Sequence, residues 1–329
     1  MYKDYFTGKT ALITGGTGLI GSHIAKSLLS IKGTKVIVVG RSLSKMKDTF
    51  SEFSESEDLL CIEHDIANPL PHSIGHVDFI FHAASPISGE IIKTRPLDVV
   101  SSNLSGTINC LEYLKNQGTG KMIVFSSATV YSNDIPTHVA VESETNIAEC
   151  IDAANAPYSE SKRMIEVIAN AYHKQFDTDM LIVRLSYVYG YSKHPANTAF
   201  YEFIKRAIDG EDILMNKSGL PRRDNIYVDD VVNGILHLCR YGAIGEAYNI
   251  SSNGDKGNYC AVDEMAEIIS DVAHKLIPGN NVKVTFQEEG TERMEGLRLS
   301  NQKIKSTGWE LSTSIYDGIL MTIKNYLNK

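Results

Sequence analysis

Short continuous runs of apolar residues alternate along the chain with stretches whose apolar residues recur at helical spacing. The continuous runs are Ala11–Thr14, Val36–Val39, Leu60–Glu63, Phe79–His82, Met122–Ser126 and Leu181–Arg184. A run that is apolar at every position has both faces buried, which predicts parallel strands covered on two sides. Ile20–Ser30 carries Ile20, Ile24, Ala25, Leu28 and Leu29 on one helical stripe, and further helices are predicted around Leu97–Lys115 and Tyr158. Strands and helices in this alternation predict an α/β fold built on a doubly wound parallel sheet.

Past Arg184 the rhythm breaks. Tyr187–Thr198 is rich in Tyr, Asn, Pro and Gly and reads as a loop over a cleft. A helix at Phe200–Ile208 and a return strand near Ala247–Ile250 follow. Asp263–His274, Val282–Phe286 and Ile315–Leu327 have the spacing of a smaller C-terminal α/β lobe. The expected division is a nucleotide-binding domain over residues 1–185, rejoined by 223–250, and a substrate-binding lobe from 186–222 and 251–329.

Composition changes this picture little. The 329 residues are 43% hydrophobic and 22% charged, enough to bury a real core. A formal charge of −8 advertises neither a nucleic-acid nor an anionic-membrane partner. The opening residues lack the apolar core of a signal peptide, and no run approaches a membrane span. Cys61, Cys110, Cys150, Cys239 and Cys260 are scattered and odd in number, which fits reduced thiols in a cytoplasmic protein. The histidines form no ligand-spaced cluster, so no metal site is expected.

The chemistry begins at Thr14-Gly15-Gly16-Thr17-Gly18-Leu19-Ile20-Gly21, a glycine-rich turn between the first strand and the first helix. Small residues at Gly15, Gly18 and Gly21 permit a tight turn, close approach of a phosphate, and helix-on-strand packing. The turn Gly15, Thr17, Gly18, Leu19, Ile20 and Gly21 therefore reads as a pyrophosphate cradle at a helix N-terminus, as in the Rossmann fold. The second strand ends Val39-Gly40-Arg41-Ser42, with no carboxylate where NAD's ribose hydroxyls would be received. Arg41, with Lys45 one turn further, favours NADP over NAD, although a guanidinium stacked on adenine would serve either; Ser42 is expected beside the cofactor too. Asp65, followed by Ile66, suits a contact to the adenine amine or a plain turn.

Tyr158 and Lys162 stand at i, i+4 on one helix face, and Ser126-Ser127 ends the strand before them. With these residues, His82-Ala83-Ala84-Ser85, Asn103, Arg184-Leu185-Ser186-Tyr187-Val188-Tyr189-Gly190, Arg223-Asp224-Asn225-Ile226-Tyr227-Val228-Asp229-Asp230 and Gly308-Trp309, the chain resembles the extended short-chain dehydrogenase/reductase family. The likeness covers almost the whole chain and points to its nucleotide-sugar branch of epimerases, reductases, dehydratases and decarboxylases. It implies a catalytic set of Ser127, Tyr158 and Lys162, with Ser126 the alternative serine. It also places Ala83, Ala84, Ser85, Asn103, Tyr158 and Lys162 against the cofactor. A free phenol titrates at about 10, so Tyr158 needs help near neutrality, and the charge of Lys162 is expected to supply it.

Ala128 and Thr129 stand where 4,6-dehydratases of the family carry an acid pair, which argues against elimination. Decarboxylases of the family carry Glu at the place of Thr129, but Ala84-Ser85-Pro86 resembles their corresponding segment. The reading this leaves in front is an NAD(P)-dependent oxidoreductase at C4 of a nucleotide-activated sugar, as 4-epimerase or 4-ketoreductase. A sugar-acid decarboxylase and an inactive nucleotide-sugar-binding module are the alternatives. The implied substrate is a nucleotide-diphosphate sugar, touched by Ser85, Thr129, Asn197, Arg223 and Arg293. Tyr187 stands where the family commonly has Asn. The family's pairing of the helices around Leu97–Lys115 and Tyr158–Tyr172 implies a homodimer.

Overall fold

A computed structural model describes residues 3–86, 89–131, 138–145, 153–217, 221–288 and 295–328. Seven strands form the main sheet: β1 (Thr10–Thr14), β2 (Lys35–Gly40), β3 (Leu59–Glu63), β4 (Phe79–His82), β5 (Lys121–Ser127), β6 (Asp179–Leu185) and β7 (Ala247–Ile250). Their order is β7-β6-β5-β4-β1-β2-β3, and every neighbouring pair is parallel. All the apolar runs and the return strand enter this sheet, with ends displaced by a residue or two.

The continuous apolar runs are explained by where alternate side chains go. Ile13, Val38, Phe81, Phe125 and Val183 belong to one buried cluster, while Leu12, Ile37, Ile80, Val124 and Ile182 belong to the other. Helices cover both faces. On the first face, α1 (Leu19–Leu29) contributes Ile24 and Leu28. On the second, α2 (Pro96–Gln117) contributes Leu111 and Leu114, and α3 (Ala156–Phe176) contributes Ile165. α4 (Val228–Tyr241) returns to the first face with Ile235. Among the described residues no helix is long and apolar enough to cross a membrane.

The strand order reverses between β1 and β4, and a doubly wound sheet opens a ligand crevice at such a point, beyond the carboxyl ends of the strands. Three of the sequence elements singled out for chemistry lie at that edge: the turn after β1, the segment after β4, and the end of β5.

In the second half, Arg222–Tyr227, expected to rejoin the first domain, pairs in a separate small sheet, and one expected loop is a strand. Tyr187–Tyr189, read from composition as loop, is a short strand parallel to Arg222–Tyr227, which in turn pairs antiparallel with Tyr259–Ala261. The loop-forming residues begin only at Gly190, after the Tyr-Val-Tyr alternation has been used in pairing. Asp224 secures this small sheet to the rest. Its buried carboxylate accepts the Ser252 N–H (3.1 Å) and hydroxyl and the Leu299 N–H (2.9 Å). Burial raises that carboxyl to about 6, against the opposing pull of these donors.

Candidate active site

The turn after β1 is held by steric need at two glycines. Gly15 has φ +67°, and a Cβ there would lie 2.7 Å from the Ala84 backbone. A Cβ on Gly21 would lie 2.5 Å from the Gly15 carbonyl oxygen. Gly18 is different, because a Cβ there meets only that same oxygen, at 3.3 Å. It caps α1 without a side-chain bond, so the first N–H groups of the helix, those of Leu19 and Ile20, have no intrahelical acceptor. Free donors and the positive end of a helix dipole, beside a glycine that leaves space, fit an anionic pyrophosphate. Thr17 lies partly exposed beside them.

Thr14 ties the two strands that flank the crevice. Its hydroxyl accepts the Ala84 N–H (3.2 Å) and bonds His82 Nδ1 (2.8 Å). Burial first, and the charge of Lys162 second, push His82 down to about 3, so the imidazole is neutral. Ala83, Ala84 and Ser85 follow at the crevice floor, partly accessible.

At the far end of the crevice Arg41 is exposed, and Ser42 caps the helix Leu43–Thr49 by accepting the Lys45 N–H at 3.3 Å. Sequence reasoning missed Glu63. It ends β3 as the register partner of Gly40, and its carboxylate accepts the Leu43 N–H at 3.3 Å. A carboxylate from the neighbouring strand thus lies beside the end of β2. Asp65 serves its own turn, accepting the Ala67 N–H at 3.0 Å while remaining exposed. Ile66 is buried, and its carbonyl accepts the Asn109 amide at 2.8 Å.

The end of β5 and the first turns of α3 bring Ser127, Tyr158 and Lys162 together. Ser127 accepts the Thr129 N–H at 3.3 Å and is hydrogen-bonded to the Tyr158 phenol. The hydroxyl of Ser126 is turned away and donates to Glu166. Lys162 is buried, with Nζ donating to the Phe125 carbonyl at 2.7 Å and lying 5.7 Å from the Tyr158 ring centre. Burial raises the Tyr158 phenol, opposed by the Ser127 bond, and lowers Lys162 to about 7. The expected lowering of the phenol by lysine is therefore not what this geometry provides. The ammonium is aimed at Phe125, and Ser127 is the group that eases ionisation of Tyr158.

Asn103 lies between helices, its amide donating to Ser161 Oγ at 2.8 Å, and Ser161 donates to the Tyr158 carbonyl at 2.9 Å. It thereby fixes α2 against the turn that carries Tyr158. Behind the site, Arg184 from β6 meets Glu166 through two bonds, Nε to Oε1 at 2.9 Å and Nη2 to Oε2 at 2.7 Å. Arg184 also donates to the Tyr131 hydroxyl (2.9 Å) and the Glu142 carbonyl (2.7 Å), and Tyr131 donates to Asn249 (2.6 Å).

Residues 11–251 match the model of the NAD dependent epimerase/dehydratase family. The chain belongs to that family. Among its relatives, UDP-glucuronic acid decarboxylase 6 of Arabidopsis thaliana is 28% identical over 318 residues, covering 96% of this chain and 88% of that protein. UDP-glucose 4-epimerase of Thermotoga maritima, solved with UDP-glucose, has a TM-score of 0.81 at 23% identity, covering 97% of this chain and 99% of that one. UDP-glucuronic acid 4-epimerase of Bacillus cereus, solved with UDP-glucuronic acid and NAD, has a TM-score of 0.80 at 21% identity, with coverage of 97% and 99%. The family description names NAD, and none of these likenesses supports the preference for NADP read from Arg41.

In this epimerase/dehydratase family member the expected substrate residues are not equally placed. Ser85 Oγ and Thr129 Oγ1 are buried with no hydrogen-bond partner among the described residues, which suits a ligand that supplies one. Arg223 is exposed and lies over the Tyr187 ring at 4.7 Å. Asn197 is exposed on the loop that follows Gly190. Arg293 lies outside the described residues.

The Glu166–Arg184 pair yields a stability prediction. Their side chains are 11% and 6% exposed, so Arg184→Met leaves a buried carboxylate uncompensated. Urea unfolding should show a loss of about 3–5 kcal/mol, with much of it restored in Arg184→Met combined with Glu166→Gln. A variant as stable as the wild type would mean that the pair holds nothing in place.

Proposed function

We propose that this protein binds NAD, oxidises C4 of a nucleotide-linked hexuronic acid, and lets the resulting β-keto acid lose carbon dioxide. The observation that carries the reading is the Ser127–Tyr158 hydrogen bond beside the buried Lys162. Nicotinamide, when bound, accepts and returns the hydride. Tyr158 takes the proton of the C4 hydroxyl, and Ser127 holds the same oxygen. Once C4 is a ketone, the C5 carboxylate leaves as carbon dioxide and its bonding pair delocalises onto the C4 oxygen. Ser127 and the protonated Tyr158 stabilise that oxyanion, and C5 then gains a proton. This last sequence needs no carboxylate at position 129. The decarboxylase relatives and the buried, partnerless hydroxyl of Ser85 in Ala84-Ser85-Pro86 support the choice of a sugar acid.

A second reading, 4-epimerisation of the same sugar acid, draws on Thr129, whose hydroxyl stands where family decarboxylases carry Glu. Incubation with UDP-glucuronic acid and NAD separates the two. Release of carbon dioxide with a UDP-pentose supports the first, and a C4 epimer that keeps its carboxylate supports the second. Tyr158→Phe should lower turnover by about 10²-fold or more while NAD still binds. Full activity in that variant would remove Tyr158 from the chemistry.

Glu63 supports NAD as the cofactor. Its carboxylate, beside Gly40, repels a 2′-phosphate and suits ribose hydroxyls, while Arg41 is left exposed to stack on adenine. Titration should favour NADH over NADPH by about tenfold or more, roughly 1.4 kcal/mol. Glu63→Gln should narrow that gap, and an unchanged or reversed preference would return the choice to Arg41.

We also propose a homodimer. Leu97 and Ile108 on α2, and Met164 and Val167 on α3, are exposed large apolar residues on helices that pack side by side. Light scattering at tens of micromolar should report a dimer, and Val167→Glu should shift it toward monomer. A wild-type monomer at that concentration contradicts the pairing.

A further inference from the structure

Tyr187 begins the short strand after β6, two residues beyond Leu185, and Leu185 is the register partner of Ser127. This position puts it at the carboxyl edge of the sheet, on the wall of the crevice next to the catalytic strand end. Unlike Tyr189 and Tyr227 nearby, it is not a core residue, for 53% of it is exposed. Its ring is not idle. The Arg223 guanidinium lies over it with 4.7 Å to the ring centre.

The neighbouring strand explains why Arg223 is available. Successive side chains on Arg222–Tyr227 point to opposite faces. Arg222 pairs with Glu264 at 3.3 Å, whereas no carboxylate among the described residues pairs with Arg223. An exposed guanidinium without a carboxylate normally samples many rotamers, and stacking on an aromatic face restricts it without using any of its five donors. Those donors are then directed outward in a fixed fork, the arrangement that suits two phosphate oxygens at once. Tyr187 also lies within electrostatic reach of Tyr158 and adds to the rise of that phenol.

We propose that Tyr187 is a specificity-determining residue: its ring holds Arg223 as the anchor for a nucleoside diphosphate, and its hydroxyl meets the sugar between that anchor and Tyr158. The proposal rests on the nucleotide-sugar reading given above. An asparagine at this position, the residue common in the family, offers hydrogen bonds but no ring on which to order the arginine. The chain thus substitutes a stacked platform for a polar contact.

The test is calorimetric titration of the NAD-loaded protein with UDP, and with dTDP, GDP, CDP and ADP in parallel. Tyr187→Leu should weaken the preferred diphosphate by about tenfold. Arg223→Leu should weaken it at least as much, and the double variant should be little worse than Arg223→Leu alone, because the ring acts through the arginine. Tyr187→Phe keeps the ring, so it should bind the diphosphate like the wild type and show its defect only as a raised KM for the sugar nucleotide. Wild-type affinity in Tyr187→Leu, or additive losses in the double variant, would overturn the role of Tyr187. A wild type that binds NAD but none of these diphosphates would instead overturn the nucleotide-sugar reading, and the proposal with it. Melting curves of each variant with NAD check that the fold is kept.

Discussion

The carboxylate of Glu166 is the point on which the site is hung. It stands one helical turn past Lys162 on α3, accepts the Ser126 hydroxyl from the end of β5, and is gripped from β6 by both arms of Arg184. Three elements that each carry part of the site are therefore fixed to one group. With Ser126 drawn inward, the alternation of a strand turns Ser127 outward, toward Tyr158. The same guanidinium reaches Tyr131 and the Glu142 carbonyl, and Tyr131 passes the connection to Asn249 on β7. Burying two charges is costly unless every lone pair and proton is used, and this network uses nearly all of them. Such a pair does less for overall stability than for geometry.

Burial acts on Tyr158 and Lys162 in opposite senses. It disfavours tyrosinate at Tyr158 and ammonium at Lys162, drawing the lysine to about 7 while the phenol rises. The rise of the phenol does not make Tyr158 a better base near neutrality. What the geometry supplies instead is direction: Lys162 is locked to Phe125, the Ser127 hydroxyl is locked between Thr129 and Tyr158, and Asn103 with Ser161 fixes the helix turn beneath them.

The same economy governs the cofactor end. Gly15 and Gly21 are required because backbone crowds backbone, while Gly18 leaves room for something that is not protein. Elsewhere in the crevice β3 delivers the Glu63 carboxylate to the end of β2. A carboxylate on an adjacent strand reaches the end of β2 because neighbouring strands lie about 4.8 Å apart.

The sequence alone determined what depends on short range. Continuous apolar runs predicted strands buried on both faces, and five of the six are so buried, whereas β3 lies at the edge of the sheet and keeps Leu60 half exposed. The glycine spacing specified a turn and a helix start, and the i, i+4 spacing put Tyr158 and Lys162 on one face. Tertiary structure decided whatever required two distant segments to meet. Glu63 joined Gly40, Arg184 claimed Glu166, Arg223 settled on Tyr187, and Lys162 turned to Phe125. In each case a charged group far from its partner in sequence had several candidates, and only strand register and helix packing selected one. Asp65 is the converse: an acid that suited a ligand met its own turn first, because a partner two residues away is always within reach.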